Sequence, residues 1–189
     1  KHLKKINNIP IILQISHSGR KGSSFVPWIK KNKPLKKKDG AWNTFAPSAI
    51  RRDDKWPTPK AMNMTQIINL IRDFKKSAEM ALKSGYDGVE VHMAHGYLLH
   101  QFFSPISNLR KDQYGQNLNN RCKLHLQIIQ AIKKINVKNK IIGARITGTD
   151  HLNNGITIKD SIYLVKKLKK SGLNYVCVSS GGILPKTNM

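Results

Sequence analysis

Apolar residues along this chain cluster in short β-branched runs, separated by longer stretches with helical spacing. Four runs are long enough for strands: residues 9–16 (IPIILQIS), 88–93 (GVEVHM), 140–147 (KIIGARIT) and 174–180 (NYVCVSS). Each is rich in Ile or Val and is bounded by turn-forming residues, which is typical of parallel strands buried on both faces. The pattern therefore predicts four buried, parallel strands.

Three helices are predicted from apolar residues that recur three and four positions apart. The first begins at about Thr65 and ends near Gly85, the second covers residues 119–135, and the third begins at Thr157, where Asp160 completes a capping box. The side chains expected to face the sheet are Ile67, Ile68, Ile71, Phe74, Ala78 and Ala81 in the first helix, Leu124, Ile128, Ile129 and Ile132 in the second, and Ile162, Val165 and Leu168 in the third. This alternation of strands and helices indicates a parallel α/β domain.

The segment between the first strand and the first helix, residues 17–63, is unusually long and rich in Pro, Lys and Trp. A stretch of this length is more often a functional excursion than a linker. Residues 1–8 have the pattern of the end of a helix, and no helical pattern follows the last strand. We therefore expect the chain to be the middle of a larger fold.

Polar side chains gather where the predicted strands end: Gln14 and His17, then His92, His95 and Tyr97, then Arg145, and finally Ser179 and Ser180. In a (β/α)8 barrel all strands end at one mouth, so these side chains would converge. A doubly wound sheet collects ligands at one switch point, and no strand here is followed by the Gly-x-Gly-x-x-Gly pattern of a dinucleotide-binding turn. The sequence thus predicts part of a (β/α)8 TIM barrel, about strands 3 to 6, in one domain over residues 1–189.

The composition adds a strong positive charge. Lys and Arg together number 34 against 10 Asp and Glu, a formal net charge of +24. Nucleic acid binding would also need a basic face with interleaved aromatics or a recognisable binding module. The lysines here are scattered, apart from one run (KKNKPLKKK). Compositional drift is the preferred interpretation, and a basic polyanion-binding protein stays as an alternative.

Other compositional features are ordinary. Cys122 and Cys177 are too few for a disulfide framework or a metal knuckle. No run of about 18 apolar residues is present, so no membrane span is expected. A reduced, cytoplasmic setting is the default expectation.

The pair His92 and His95, three residues apart directly after a strand, is open to several interpretations by itself. It could ligate a metal, bind an anion or fill a structural polar corner. A zinc site would need a third ligand of clear spacing, and the His-Glu-x-x-His pattern is absent. Arg145 on a buried strand is costly without an anionic partner, which favours a functional role for this end of the sheet.

Several motifs, in the correct order and over almost the whole chain, resemble the Old Yellow Enzyme family of flavin-dependent oxidoreductases. They are LQISHSGRKGS, APSAI, VEVHMAHGYLLHQFFSPISNLRKDQYG, ARITGTD and VSSGG. The His-x-x-His form and Lys21 after SGR are similar to the bacterial branch with paired active-site histidines. The resemblance implies FMN as cofactor, NAD(P)H as co-substrate, and reduction of the activated C=C bond of α,β-unsaturated carbonyl or nitro compounds.

The resemblance also implies roles for individual residues. Gln14 and Arg145 would bind the FMN ring system, and Lys21 would lie near it. His92 and His95 would bind the carbonyl or nitro oxygen of the substrate and stabilise the developing enolate. Tyr97 would deliver the proton to Cα while flavin N5 delivers hydride to Cβ.

The missing parts of the expected barrel qualify this prediction. Half a barrel leaves two open sheet edges, so we expect the chain alone to bind FMN weakly or not at all and to be inactive as a fragment. A related FMN barrel of the 2,4-dienoyl-CoA reductase type remains an alternative. Homo-oligomerisation of the full-length protein stays open.

Overall fold

The computed structural model of the chain describes residues 6, 8–26, 28–30, 33–135 and 138–185. The strands are β1 (Ile12–Ile15), β2 (Phe45–Ala46), β3 (Lys60–Ala61), β4 (Gly88–Met93), β5 (Ile141–Thr147) and β6 (Tyr175–Ser179). The helices are α1 (Met64–Lys83), α2 (Leu98–Phe103), α3 (Leu118–Lys133) and α4 (Ile158–Lys170). The helix end expected within residues 1–8 lies largely outside the described residues.

Four strands form one parallel sheet in the order β1-β4-β5-β6. The four strands predicted from the sequence are confirmed: β4 has the predicted bounds, and β1 is shorter, covering four of the predicted eight residues. Helices connect successive strands of this sheet, as parallel pairing requires. Among the described residues, none of the helices has the length and apolarity that a membrane crossing needs.

The two faces of the sheet differ in chemistry because side chains alternate along each strand. One face packs on the helices and carries fully buried side chains such as Val89, Val91 and Ile142. The other, here called the polar face, carries Gln14, Glu90, His92, Arg145, Thr147, Tyr175, Cys177 and Ser179. The side chains of the sheet that could bind or react with a ligand therefore lie on the polar face.

The helices begin where side chains cap them, and one start was predicted wrongly. Helix α1 begins after Asn63, whose Oδ1 accepts from the Gln66 backbone N–H at 2.9 Å while Gln66 Oε1 accepts from the Asn63 N–H at 2.9 Å. Thr65 is therefore inside the helix rather than at its N-cap. The predicted capping box of Thr157 and Asp160 is confirmed at the start of α4.

Two side chains expected to face the sheet are exposed instead. Ile68 is 51% exposed and Ile162 is 49% exposed, whereas Leu70 and Leu164 are buried. The stripe that contacts the sheet is narrower than the apolar pattern suggests, because each helix can present only part of its circumference to one neighbour. The remaining predicted core positions of α1 and α3 do pack on the core.

The excursion over residues 17–63 is held by a buried arginine. Arg20 is 1% exposed, and its guanidinium donates to the carbonyls of Ile50 at 3.2 Å, Arg51 at 3.3 Å and Ile183 at 2.8 Å. Within the excursion, β2 and β3 form a short parallel pair that the sequence did not predict. These contacts hold the excursion close to the end of β6.

A row of side chains crosses the polar face at the middle of the sheet. Gln14, Glu90, Gly143 and Tyr175 are successive register partners on β1, β4, β5 and β6. Gln14 Nε2 donates to Glu90 Oε1 at 2.5 Å, and the Tyr175 hydroxyl donates to Glu90 Oε2 at 2.9 Å. Tyr175 reaches Glu90 by lying over Gly143, where a Cβ atom would collide with its ring.

We expect Gly143→Ala to lower the free energy of unfolding by about 1–3 kcal/mol, the usual loss on overpacking. The nearest atoms to the added methyl group all belong to Tyr175. In a Tyr175→Ala background the same substitution should therefore cost much less. Urea unfolding of the two single variants and the double variant measures this coupling, and equal losses in both backgrounds would contradict it.

Candidate functional site

The residues predicted to activate the substrate lie together at the C-terminal end of the sheet, around the turn after β4. The His92 ring lies 5.1 Å from the His95 ring and 5.1 Å from the Tyr97 ring, measured between centroids. The Tyr97 ring meets His92 edge-on, at an interplanar angle of 74°. Two imidazoles and a phenol thus share one corner of the polar face.

The turn that carries these side chains has a strained backbone. His95 has φ +56° and Gly96 has φ +70°, so two successive residues occupy the left-handed region. A Cβ atom at Gly96 would collide with the Gly182 carbonyl, which makes glycine necessary at that position. Lys21 Nζ donates to the His95 carbonyl at 2.7 Å and helps to hold the turn.

His92 is a neutral hydrogen-bond donor at neutral pH. It is 4% exposed, and burial, followed by the charges of His95 and Arg145, lowers its pKa to about 4. A neutral imidazole has one N–H and one acceptor nitrogen. Its Nδ1 is buried, and no described residue forms a hydrogen bond with it.

His95 is held by a side chain at the end of β6. Its Nε2 lies 2.6 Å from Ser179 Oγ at the end of β6. Burial, with the charges of Arg145 and Lys21, lowers the pKa of His95 as well. The sequence placed Ser179 at the same end of the sheet as His95 but predicted no contact between them.

Tyr97 and Lys21 lie next to each other. Tyr97 is the residue before α2, and Lys21 Nζ is 5.6 Å from the centre of its ring. Burial first, then the charges of Arg52 and Arg20, lowers the pKa of Lys21 to about 8. The ammonium therefore remains the major form at pH 7, beside the phenol.

Arg145 lies beside His92 as its register partner on β5. It is half-buried, its Nε is buried without a hydrogen-bond partner, and no ion pair joins it to an acidic residue in the described part of the chain. An unpaired cation on a sheet face fits the anionic edge of a ring such as reduced flavin. Gln14 is on the same face but is exposed, and its amide donates to Glu90.

A buried network that the sequence did not predict supports the turn from behind. His100 and Asp150 are both fully buried, and His100 Nε2 lies 2.8 Å from Asp150 Oδ1. The other nitrogen, His100 Nδ1, accepts from the Gly96 backbone N–H at 2.7 Å. Ser104 Oγ donates to Asp150 Oδ2 at 2.7 Å. This network connects α2 and the loop after β5 to the turn between His95 and Tyr97.

The metal interpretation gains no support from the geometry. The described residues contain no group of three His, Cys, Asp or Glu side chains that could hold a metal ion. His100, the third histidine of the motif, is bound to Asp150 and Gly96 instead.

Comparison with known proteins places these features in a family context. Residues 5–184 match the sequence profile of the NADH:flavin oxidoreductase / NADH oxidase family. An NADH:flavin oxidoreductase of Gibberella zeae is 40% identical over 188 residues, a match that covers 93% of this chain and 46% of that protein. An NADPH dehydrogenase of Geobacillus thermodenitrificans is 36% identical, with 97% of this chain and 48% of that protein covered. The chain spans about half the length of the curated relatives it matches.

Solved structures give the same result for the fold. Morphinone reductase superimposes with a TM-score of 0.70 at 26% sequence identity, covering 89% of this chain and 47% of that one. A 2-naphthoyl-CoA reductase in complex with 2-naphthoyl-CoA superimposes with a TM-score of 0.76 at 22% identity, covering 91% and 26%. The predicted partial (β/α)8 barrel is confirmed.

Proposed function

Because the chain belongs to the NADH:flavin oxidoreductase / NADH oxidase family, as its resemblance to the Old Yellow Enzymes predicted, we propose that it carries the substrate-activating part of an FMN- and NAD(P)H-dependent ene-reductase. The substrates would be α,β-unsaturated carbonyl or nitro compounds. One observation carries the proposal: two neutral imidazoles and a tyrosine meet beside an unpaired arginine on one face of the sheet.

His92 and His95 would activate the substrate by hydrogen bonding. Each neutral ring can donate one N–H to the same carbonyl or nitro oxygen, and this bond strengthens as negative charge develops on that oxygen. Both rings have a lowered pKa, so neither needs to lose a proton first at pH 7. Ser179 and the strained turn would fix their directions.

Tyr97 would donate the proton that completes the reduction. Its hydroxyl proton goes to Cα of the substrate, and the tyrosinate that is left recovers a proton from solvent. The Lys21 ammonium, 5.6 Å from the ring centre, stabilises negative charge on Tyr97 during the transfer.

The cofactor-binding residues would be Arg145, Gln14 and Lys21. Arg145 is the best fit of the three, because its unpaired guanidinium gains an anionic partner on binding. Gln14 would have to exchange its bond to Glu90 for one to the ring. FMN, when bound, supplies the hydride that NAD(P)H has delivered to it.

We expect Tyr97→Phe to slow enone reduction while leaving flavin retention unchanged. The chain and, in parallel, the full-length gene product are purified with excess FMN, and free ligand is then removed. The visible flavin spectrum measures flavin retention, and NADPH oxidation with 2-cyclohexenone measures turnover. Tyr163→Phe is the matched control, because the Tyr163 hydroxyl contacts Asn119 on the helical side of the domain. Equal turnover in the two variants would contradict the role of Tyr97, and a full-length protein without flavin would contradict the proposed function.

A further inference from the structure

A cavity of about 380 Å³ opens beside Tyr97, on the side of the excursion. Its lining combines two cations with apolar and aromatic side chains: Lys21, Arg52, Phe25, Val26, Trp56, Tyr97 and Ser24. Among the described residues, no carboxylate lines it. The cavity therefore presents positive charge over an apolar floor and shares one wall with the candidate active site.

Both cations retain hydrogen-bonding capacity. Lys21 Nζ donates to the carbonyls of His95 at 2.7 Å and Gly182 at 3.4 Å, which uses two of its three N–H groups. Arg52 stacks on the Trp56 ring at 4.8 Å, and its Nε is buried without a hydrogen-bond partner among the residues that the structure describes. The negative charge of Asp53 raises the pKa of Arg52. The Asp53 carboxylate is itself bound elsewhere, because Asp53 Oδ1 accepts a hydrogen bond from the Lys55 backbone N–H.

The charges in this wall repel one another. Burial, and then the positive charges of Arg52 and Arg20, lower the pKa of Lys21, and burial also lowers the pKa of Arg52. Cations held together in a partly buried wall are stabilised when an anion enters. An anion here would bind both cations and replace water around them.

We propose that this cavity binds the carboxylate of the substrate, so that the preferred substrate is an unsaturated ketone with a carboxylate and an apolar body. The proposal rests on the proposed function for the position of the double bond at Tyr97. Lys21 Nζ is 5.6 Å from the Tyr97 ring centre, so an anionic group bound here would lie close enough to the reacting bond for both to belong to one small molecule. Phe25, Val26 and Trp56 would pack on the apolar body.

A phosphate of the dinucleotide co-substrate offers the same anionic chemistry, and the experiment separates the two sources. The probes are 4-oxononanoate, which is the saturated analogue of such a substrate and lacks its reactive double bond, the neutral methyl ester of that acid, NADPH and NADH. Each is titrated into the purified chain without flavin by calorimetry. We expect the acid to bind about 10-fold to 100-fold more tightly than its ester, the range that a hydrogen bond to a charged group gives. Arg52→Met should remove this preference and Arg52→Lys should restore part of it.

Arg72→Met is the matched control, because Arg72 is an exposed arginine on α1 that contacts Asn69. It should leave the preference for the acid unchanged, and circular dichroism checks that each variant is folded. Equal binding of acid and ester, or no binding of either, overturns the proposal. Binding of NADPH that depends on Arg52, without binding of the acid, also overturns it and assigns the cavity to a phosphate. Because flavin is absent, this result is independent of whether Tyr97→Phe slows turnover.

Discussion

Asp150→Ala is expected to lower the free energy of unfolding by about 3–5 kcal/mol, because three buried hydrogen-bond donors lose their acceptor at a cost of about 1–3 kcal/mol each. Asp150 is fully buried and accepts three hydrogen bonds, from His100 Nε2 at 2.8 Å, Ser104 Oγ at 2.7 Å and the Ile156 backbone N–H at 2.8 Å. Alanine leaves all three donors without an acceptor and opens a cavity. Each of these consequences is destabilising by itself.

Urea unfolding followed by circular dichroism measures the loss, with Asp160→Ala as the control. Asp160 is a half-buried residue in the capping box of α4, and its hydrogen bonds there are exposed to solvent, so its removal should cost only about 1 kcal/mol. Asp150→Asn should fall between the two, because an amide keeps one acceptor oxygen. If Asp150→Ala lowers the free energy of unfolding no more than Asp160→Ala does, the network of His100, Asp150 and Ser104 does not stabilise the fold.

The pH dependence of this loss has a definite sign. Burial raises the pKa of Asp150, but the hydrogen bonds that its carboxylate accepts from His100, Ile156 and Ser104 outweigh burial and lower the pKa overall. A carboxyl whose pKa is lower in the folded state adds stability above its unfolded pKa of about 3.9. The difference between wild type and Asp150→Ala should therefore be complete at pH 7 and shrink as the pH falls below about 4.

The strands were predictable from the sequence because buried parallel strands require continuous β-branched runs, and β4 and β5 have them. The start of α1 was predicted wrongly, since Asn63 and Thr65 are both good N-cap residues. What decides between them is the residue three positions later. Asn63 is followed by Gln66, which can complete a capping box, whereas Thr65 is followed by Ile68, which cannot.

The candidate site was predictable where residues follow a strand end and hidden where they pair across the fold. His92, His95 and Tyr97 lie within one motif, and the structure brings them together as expected. His100 and Asp150 are 50 positions apart, and their contact depends on how α2 packs against the loop after β5. No periodicity or spacing encodes such a contact, so the sequence did not predict it.

His92→Ala is expected to slow reoxidation of the reduced, flavin-loaded full-length protein by 2-cyclohexenone about 10²-fold to 10³-fold, the usual effect of removing one oxyanion-hole donor. Reduction by NADPH does not build negative charge on a substrate oxygen, so that rate should change by less than about tenfold. Stopped-flow measurement of flavin absorbance separates the two half-reactions. His92→Gln should recover part of the lost rate, because its amide keeps an N–H donor.

The pH profile distinguishes this role from a structural one. Because burial, with the charges of His95 and Arg145, lowers the pKa of His92 to about 4, the ring stays neutral from pH 5 upward. Titration of His92 should therefore add no step near pH 6.5 to the pH profile of the reoxidation rate. The shape of this profile near pH 6.5 should be the same in wild type and in His92→Ala. His151→Ala is the control, since His151 lies exposed in the loop after β5.

If His92→Ala slows both half-reactions equally, His92 supports the fold of the site rather than the transition state, and the oxyanion-hole assignment is wrong. A selective loss in reoxidation that His92→Gln partly restores cannot arise from misfolding, because misfolding would impair both half-reactions.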